Sequence, residues 1–228
     1  SRQLRTRVAY LGTDLAAFDV VAGSASSTAP RMLPQLVYIG TLSHSYDLPL
    51  VMDALNHLVS KRPDLRDLEL VVMGDGPKRQ EYEDHAKSIR ARVTFKGRLP
   101  YRDMIQELQG CDIAVNPIKS GSAASVINKV CDYAAAGLPV INTQDSEEYM
   151  GLLEAYDAGI NCPPGDTESV ASAMERLVDS QQLRLRMGRG NRRMAEKLFD
   201  RAKSYEEIVD SVLDLARKRR ISREMDVL

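Results

Sequence analysis

The chain has 228 residues, of which 43% are hydrophobic, and its 31 Lys and Arg almost balance its 32 Asp and Glu to give a net charge of -1. That length and composition can fill the core of a large α/β domain. The balanced charge gives no overall basic field, so nucleic-acid binding is not indicated, and no apolar run is long enough to span a bilayer.

Three cysteines, Cys111, Cys131 and Cys162, lie far apart in apolar stretches. An odd number at such spacing is typical of reduced, buried thiols and not of a disulfide framework or a metal site. We therefore expect a reducing, cytoplasmic environment. The chain begins SRQLRTR and not with methionine, and we expect it to be part of a longer protein.

Residues 1–34 are interpreted as an interdomain strand and linker. Arg7 to Phe18 has the pattern of a strand and a turn. Gly23 to Pro30 is polar and poor in apolar anchors, which is typical of a surface loop.

Residues 35–200 alternate between short apolar runs and amphipathic segments. The runs predict six strands, at 36–40, 68–74, 93–97, 112–117, 138–143 and 158–163. Short apolar strands separated by helices indicate a doubly wound, Rossmann-like α/β fold with a parallel sheet covered on both faces. Ligands bind such sheets at the carboxyl ends of the strands, so the loops after the strands are the candidate site.

The chain is predicted to be helical from Thr167 onward. Thr167 is expected to cap a helix that ends at Val178, and further helices are predicted at 181–198 and 204–219. Residues 201–228 are interpreted as a C-terminal helix and a basic tail. Basic residues favour a helix end through the helix dipole, and we prefer this explanation of the tail to membrane or nucleic-acid binding.

Small and polar residues follow the first three strands. The first strand ends in Gly40, Thr41 and Leu42, the second in Gly74, and the third in Gly97, Arg98 and Leu99. Each of these loops alone is an ordinary strand-to-helix turn.

The segment from Ser120 to Thr143 predicts a loop that approaches phosphate, a helix and a buried strand. Small residues in the loop let a ligand approach the backbone, and Ser125 is expected to cap a helix that runs to Ala136 and leaves free amides for an anion. On that helix Asn128, Lys129 and Asp132 share a face. Asp132 could hold ribose hydroxyls there, or it could form an ion pair with Lys129 on a solvated edge.

Taken together, LVYIGTLSHSYDL, LELVVMGDGP, VTFKGRLP, CDIAVNP, NKVCDYAAAGLPVINT and AGINCPPGD resemble the C-terminal half of retaining GT-B glycosyltransferases. The superfamily is that of glycogen synthase and the mannosyltransferases, and the variant resembles bacterial capsule and exopolysaccharide transferases. The resemblance implies one half of a GT-B fold that binds a nucleoside diphosphate sugar, with UDP favoured. It implies a hexosyltransferase that uses neither a cofactor nor a protein-bound metal and acts on a polysaccharide or lipid-linked acceptor.

The same resemblance implies that the acceptor-binding N-terminal domain is missing from this chain. The isolated chain is therefore expected to bind nucleotide weakly and to catalyse no transfer. The full enzyme is expected in the cytoplasm, with peripheral association at the inner face of the membrane as one arrangement.

The resemblance also implies roles for particular residues. Asp132 matches the acid that binds ribose, whereas Ala124 stands where relatives have a sugar-binding glutamate. Thr41 and Asp47 stand where relatives have a basic pair. The diphosphate is then left to Lys119, Lys129, the helix dipole and the backbone of 122–126. That backbone, with the residue that follows it in the helix, supplies the further binding positions Ser122, Ala124, Ser125, Val126 and Asn128. The base falls to Gly97, Arg98 and Leu99, and no residue resembles a covalent nucleophile.

Other readings of the chain remain open. A nonhydrolysing sugar nucleotide epimerase shares the architecture but needs more acids and histidines facing the cleft. A non-catalytic nucleotide-binding or partner module is favoured by Ala124 and by the absent basic pair. A dehydrogenase is least favoured, because no GxGxxG turn follows the first strand.

Overall fold

A computed structural model of the protein describes residues 8–24, 32–122 and 126–225. Its centre is a parallel sheet of six strands in the order β3-β2-β1-β4-β5-β6. The strands are β1 Gln35–Ile39, β2 Glu69–Met73, β3 Arg92–Gly97, β4 Ile113–Asn116, β5 Val140–Asn142 and β6 Gly159–Asn161. The predicted doubly wound, Rossmann-like sheet is confirmed, and all six strands lie where the apolar runs predicted them.

Helices cover both faces of the sheet. They are α1 Leu15–Ser24, α2 Leu48–Lys61, α3 Arg79–Ser88, α4 Tyr101–Gln109, α5 Asn128–Ala135, α6 Glu147–Ala155, α7 Thr167–Asp179, α8 Gln181–Leu198 and α9 Arg201–Met225, with a short 3-10 helix at Pro63–Leu65. Side chains alternate along each strand, so Leu36 and Tyr38 pack under α2 and α7, while Val37 and Ile39 pack under α4 and α5. Two cores therefore form, one on each face.

The N-terminal prediction was wrong in one respect. Within 7–18 the structure has no strand among its described residues apart from an isolated bridge between Thr13 and Asp200, and a helix begins at Leu15. The Asp14 carboxylate accepts a hydrogen bond from the Ala17 amide, which favours a helix start there. Leu15 and Phe18 then lie on one face and are buried against the core. Residues 25–30 of the predicted loop lie outside the described residues.

Three helix boundaries also differ from prediction. The helix expected from Ser125 begins at Asn128 with Ile127 at its N-cap, and Ser125 itself lies outside the described residues. Asp166, not Thr167, caps α7, since the Asp166 carboxylate accepts a hydrogen bond from the Ser169 amide. The last helix, α9, is longer at both ends than the predicted 204–219.

The three cysteines are free and buried, as predicted. Within the described ranges we find no helix both long and apolar enough to cross a membrane.

Candidate functional site

An open cleft of about 1080 Å³ lies at the carboxyl ends of β1, β2 and β3. Its walls come from the loops after these strands and from the start of α5. The strand order reverses between β1 and β4, and the cleft lies beside that switch point, where open α/β sheets bind their ligands. Its volume is ample for a ligand of nucleotide size.

Two glycines shape the floor of the cleft. Gly40 and Gly74 have φ angles of 133° and 146°, which side chains disfavour, and a Cβ on Gly74 would overlap the Gly40 carbonyl oxygen. The Gly40 amide donates to the Met73 carbonyl at 2.9 Å, and the Gly74 amide donates to the Gly97 carbonyl at 2.8 Å. These two hydrogen bonds join the carboxyl ends of β1, β2 and β3, and the backbone of the two glycines, without side chains, borders the cleft.

Tyr133 positions α5 over this floor. Its hydroxyl accepts the Ile39 amide at 2.9 Å and donates to the Val115 carbonyl at 3.1 Å, so one side chain ties the helix to two strands. The first amides of a helix have no partner inside it, and those of α5 lie beside the cleft at Asn128 and Lys129.

Lys129 lies at the wall of the cleft with only 9% of its surface exposed. Its ammonium donates to the Tyr38 hydroxyl at 2.9 Å and lies 3.5 Å from the centre of the Tyr46 ring and 4.1 Å from that of Tyr38. Among the residues that the structure describes, no carboxylate pairs with it. Burial therefore lowers the pKa of Lys129 well below its ordinary value, because the hydration lost by the ammonium is not replaced by a negative charge.

Asp132 lies one turn further along α5 and also lines the cleft. Its Oδ1 accepts a hydrogen bond of 2.6 Å from the Thr13 hydroxyl, which lies 2.8 Å from the hydroxyl of Tyr101. Burial raises the pKa of Asp132 to about 6, while the Thr13 bond and the Arg201 charge act in the opposite direction. Lys129 and Asp132 thus turn to different partners, and the ion pair considered from their spacing does not form.

Most of the predicted site residues line the cleft. They are Gly40, Thr41, Gly74, Arg98, Leu99, Val126, Asn128, Lys129 and Asp132.

Four other predicted positions do not line the cleft. Leu42 is buried in the core, and Gly97 faces the guanidinium of Arg79. Ser122 and Lys119 are exposed. Neither Lys119 nor Ser122 is among the residues that line the cleft, and Ala124 and Ser125 lie outside the described residues.

Four residues of this arrangement escaped the sequence reasoning: Tyr38 and Tyr46 around Lys129, and Thr13 and Tyr101 beside Asp132. A signal existed for Tyr38, since a hydroxyl inside an otherwise aliphatic strand requires a buried partner. Nothing local marks Thr13, because its partner is 119 residues away in the sequence.

The family described as "Glycosyl transferases group 1" matches residues 33–180 of the chain. The alpha-D-kanosaminyltransferase of Streptomyces kanamyceticus is 28% identical over 156 residues, which are 68% of this chain and 39% of that protein. The glycogen synthase of Mycobacterium tuberculosis is 28% identical over 177 residues, which are 75% of this chain and 40% of that protein. The chain thus spans about two fifths of the length of these curated relatives.

Solved structures have the same fold. Anabaena Alr3699/HepE in complex with UDP-glucose superposes with a TM-score of 0.73 at 18% identity, over 91% of this chain and 57% of that one. The sucrose-phosphate synthase of Thermosynechococcus elongatus gives a TM-score of 0.69 at 19% identity, over 96% of this chain and 54% of that one. At these identities the likeness extends to the fold alone.

Proposed function

The chain belongs to the group 1 glycosyl transferases, and from that premise we propose that it forms the donor-binding half of a glycosyltransferase that uses a nucleoside diphosphate sugar. In this proposal the nucleotide lies in the cleft at the carboxyl ends of β1 to β3. Its diphosphate lies against Lys129 and the start of α5, and its ribose lies against Asp132.

The observation that carries the proposal is the buried Lys129. A lysine without an acidic partner loses hydration free energy on burial, and the described residues return only one hydrogen bond and two aromatic contacts. A diphosphate in the cleft would supply the missing negative charge. The helix dipole and the first amides of α5 act on the same anion.

Lys129 also accounts for the unusual loop after β1, where family resemblance leads us to expect a basic pair. Thr41 is exposed at the cleft, and the carboxylate of Asp47 caps α2 by accepting the Leu50 amide. The Tyr38 hydroxyl donates to the Thr41 carbonyl at 2.8 Å while it accepts from Lys129. We infer that the positive charge has moved from that loop to α5.

Asp132 supports a ribose site for a similar reason. The structure gives its Oδ1 a hydrogen bond from Thr13 and gives its other oxygen none among the described residues. A ribose diol would donate to that oxygen, and charge-assisted bonds of this kind contribute roughly 1.5–3 kcal/mol when desolvated.

The finer features of the proposal rest on family resemblance. We propose UDP as the nucleotide, in line with the UDP and UDP-glucose named for Anabaena Alr3699/HepE. We further propose retention at the anomeric carbon without a protein-bound metal, an acceptor on a separate N-terminal domain, and a role in bacterial surface polysaccharide assembly. The isolated chain would then bind nucleotide and transfer no sugar.

Calorimetric titration of the 228-residue chain with UDP, GDP, ADP and uridine tests the proposal. We expect UDP to bind and uridine to bind more weakly. Lys129→Met should lower the affinity for UDP far more than the affinity for uridine. Lys119→Met is the matched control, because Lys119 is exposed and does not line the cleft. If Lys129→Met lowers the affinities for UDP and for uridine equally, Lys129 does not bind the diphosphate.

The second candidate is a non-catalytic module that binds nucleotide or a partner protein. Ala124 favours it, because a methyl group cannot bind the sugar hydroxyls as a glutamate can. Equal binding of UDP and UDP-glucose would support this module, whereas tighter binding of UDP-glucose would support a donor site.

A further inference from the structure

The carboxylate of Asp132 is held by a segment that precedes the sheet. The Thr13 hydroxyl donates to Asp132 Oδ1 at 2.6 Å and lies 2.8 Å from the Tyr101 hydroxyl. Since the Thr13 proton is used on Asp132, Tyr101 is the donor in the second bond. A short relay thus runs from the start of α4 through Thr13 to the cleft.

Thr13 is itself fixed by the junction between α8 and α9. Its amide donates to the Phe199 carbonyl at 2.8 Å, and its carbonyl accepts the Arg201 amide at 3.0 Å. The preceding Gly12 has a φ of 63° and no room for a Cβ against Phe199. The Thr13 side chain is 1% exposed, so its hydroxyl is held in place before any ligand arrives.

The two carboxylate oxygens of Asp132 therefore have different environments: Oδ1 accepts the hydrogen bond from Thr13, and the other oxygen is left for a ligand. Oδ1 faces Thr13, and the same carboxyl group lines the cleft. A carboxylate held by one fixed donor has a defined direction, whereas a free one rotates and loses entropy when it binds. The Thr13 hydroxyl also stabilises the charged form that accepts hydrogen bonds best.

We propose that Thr13 is a positioning residue for the ribose site, which orients Asp132 so that its free oxygen receives the sugar hydroxyls of the bound nucleotide. Tyr101 supports Thr13 in this task. The inference rests on the proposed function, and it adds a residue from the N-terminal segment to the donor site. Donor binding would thereby depend on the crossing of residues 12–13 with residues 199–201.

The test compares UDP with 2′,3′-dideoxy-UDP, which lacks both ribose hydroxyls, on the 228-residue chain. If the titration with UDP, GDP and ADP shows that another nucleoside diphosphate binds best, that nucleotide and its 2′,3′-dideoxy analogue replace the UDP pair. The variants are Thr13→Val, which keeps the shape and removes the hydroxyl, Thr13→Ser, which keeps the hydroxyl, and Tyr101→Phe. Circular dichroism and urea unfolding check that each variant folds.

We expect the wild type to prefer UDP over the dideoxy analogue by at least about tenfold, as a hydrogen bond to a charged group implies. Thr13→Val should lose most of this preference while its affinity for the dideoxy analogue changes little. Thr13→Ser should keep the preference, and Tyr101→Phe should fall between the two. If Thr13 had only a structural role, Thr13→Val would lower the affinities for UDP and for the dideoxy analogue by the same factor, and the ratio of the two affinities would not change.

The outcomes separate the two proposals. A wild type that binds neither ligand refutes the proposed function and this inference with it. A wild type that prefers UDP, together with a Thr13→Val that shows the same preference, refutes only the role of Thr13. A ligand-free check is the pKa of the Asp132 carboxyl by carbon NMR, which Thr13→Val should raise and Thr13→Ser should not; an unchanged value in Thr13→Val would overturn the contact itself.

Discussion

Replacing Asp132 by asparagine should change how the stability of the fold depends on pH. Asparagine keeps the shape of the side chain and an oxygen that can accept from Thr13, but it cannot ionise. In the folded chain the pKa of Asp132 rises from 3.8 to about 6. Each pKa unit corresponds to about 1.36 kcal/mol, so the two units cost the ionised chain about 3 kcal/mol of stability.

The direction follows from proton binding. The folded chain holds the Asp132 proton more tightly than the unfolded chain, so between about pH 4 and pH 6 folding is favoured by protonation. That contribution is fully present below pH 4 and is lost as the pH rises through about 6. Compared with Asp132→Asn, the wild type should therefore lose roughly 2.5 kcal/mol between pH 4 and pH 7.

Urea unfolding at several pH values between 4 and 8 measures this difference. Other carboxyl groups titrate in both proteins, and they cancel when the free energy of unfolding of one is subtracted from that of the other. Asp210→Asn is the control, since Asp210 is exposed on α9 and should give a nearly constant difference. A constant difference for Asp132→Asn as well would show that this carboxyl group is not desolvated in the folded chain.

Three further predictions concern Lys129 and the helix glycines. Lys129→Met should leave the fold at least as stable as the wild type at pH 7, because it removes a buried amine with no acidic partner, and urea unfolding would show a clear loss if the contacts with Tyr38 mattered more. UDP binding should raise the pKa of Lys129, since the diphosphate stabilises its ammonium form; a nitrogen NMR titration of the side-chain amine with and without UDP measures this, and an unchanged pKa would contradict it. Gly190→Ala should destabilise the fold by more than about 2 kcal/mol, because the added Cβ would overlap the Tyr156 carbonyl oxygen. Gly151→Ala, whose Cβ would meet open space, should stabilise α6 by roughly 0.5–1 kcal/mol. Thermal unfolding temperatures that shift alike in both variants would refute the close packing of α8 at Gly190.

The sheet could be predicted because its signals are local. Runs such as Leu36 to Gly40 are apolar without interruption, and the glycines that follow them mark the strand ends. The first helix was missed because its start signal is a single residue, Asp14, inside a sequence rich in alanine and valine. Its burial depends on Phe18 reaching a core built from residues far along the chain.

The candidate site was predictable only in part. The placement of Lys129 and Asp132 on one helix face followed from their spacing, but their partners did not. Tyr38 is 91 residues from Lys129, and the contact exists only because β1 lies beside α5 in the folded sheet. A spacing of three residues suggested an ion pair, and tertiary packing directed each side chain to another partner.

Amide NMR spectra of the isotopically labelled chain, recorded with and without UDP, test the central claim most directly. We expect shifts to concentrate on the loops at Gly40, Gly74 and Arg98 and on the first turn of α5 at Lys129. A smaller cavity borders the amino ends of β4 and β5, and the amides of Gly137 and Leu138 beside it serve as an internal control. Shifts confined to that cavity, or none at saturating UDP, would contradict the assignment of the cleft as a nucleotide donor site.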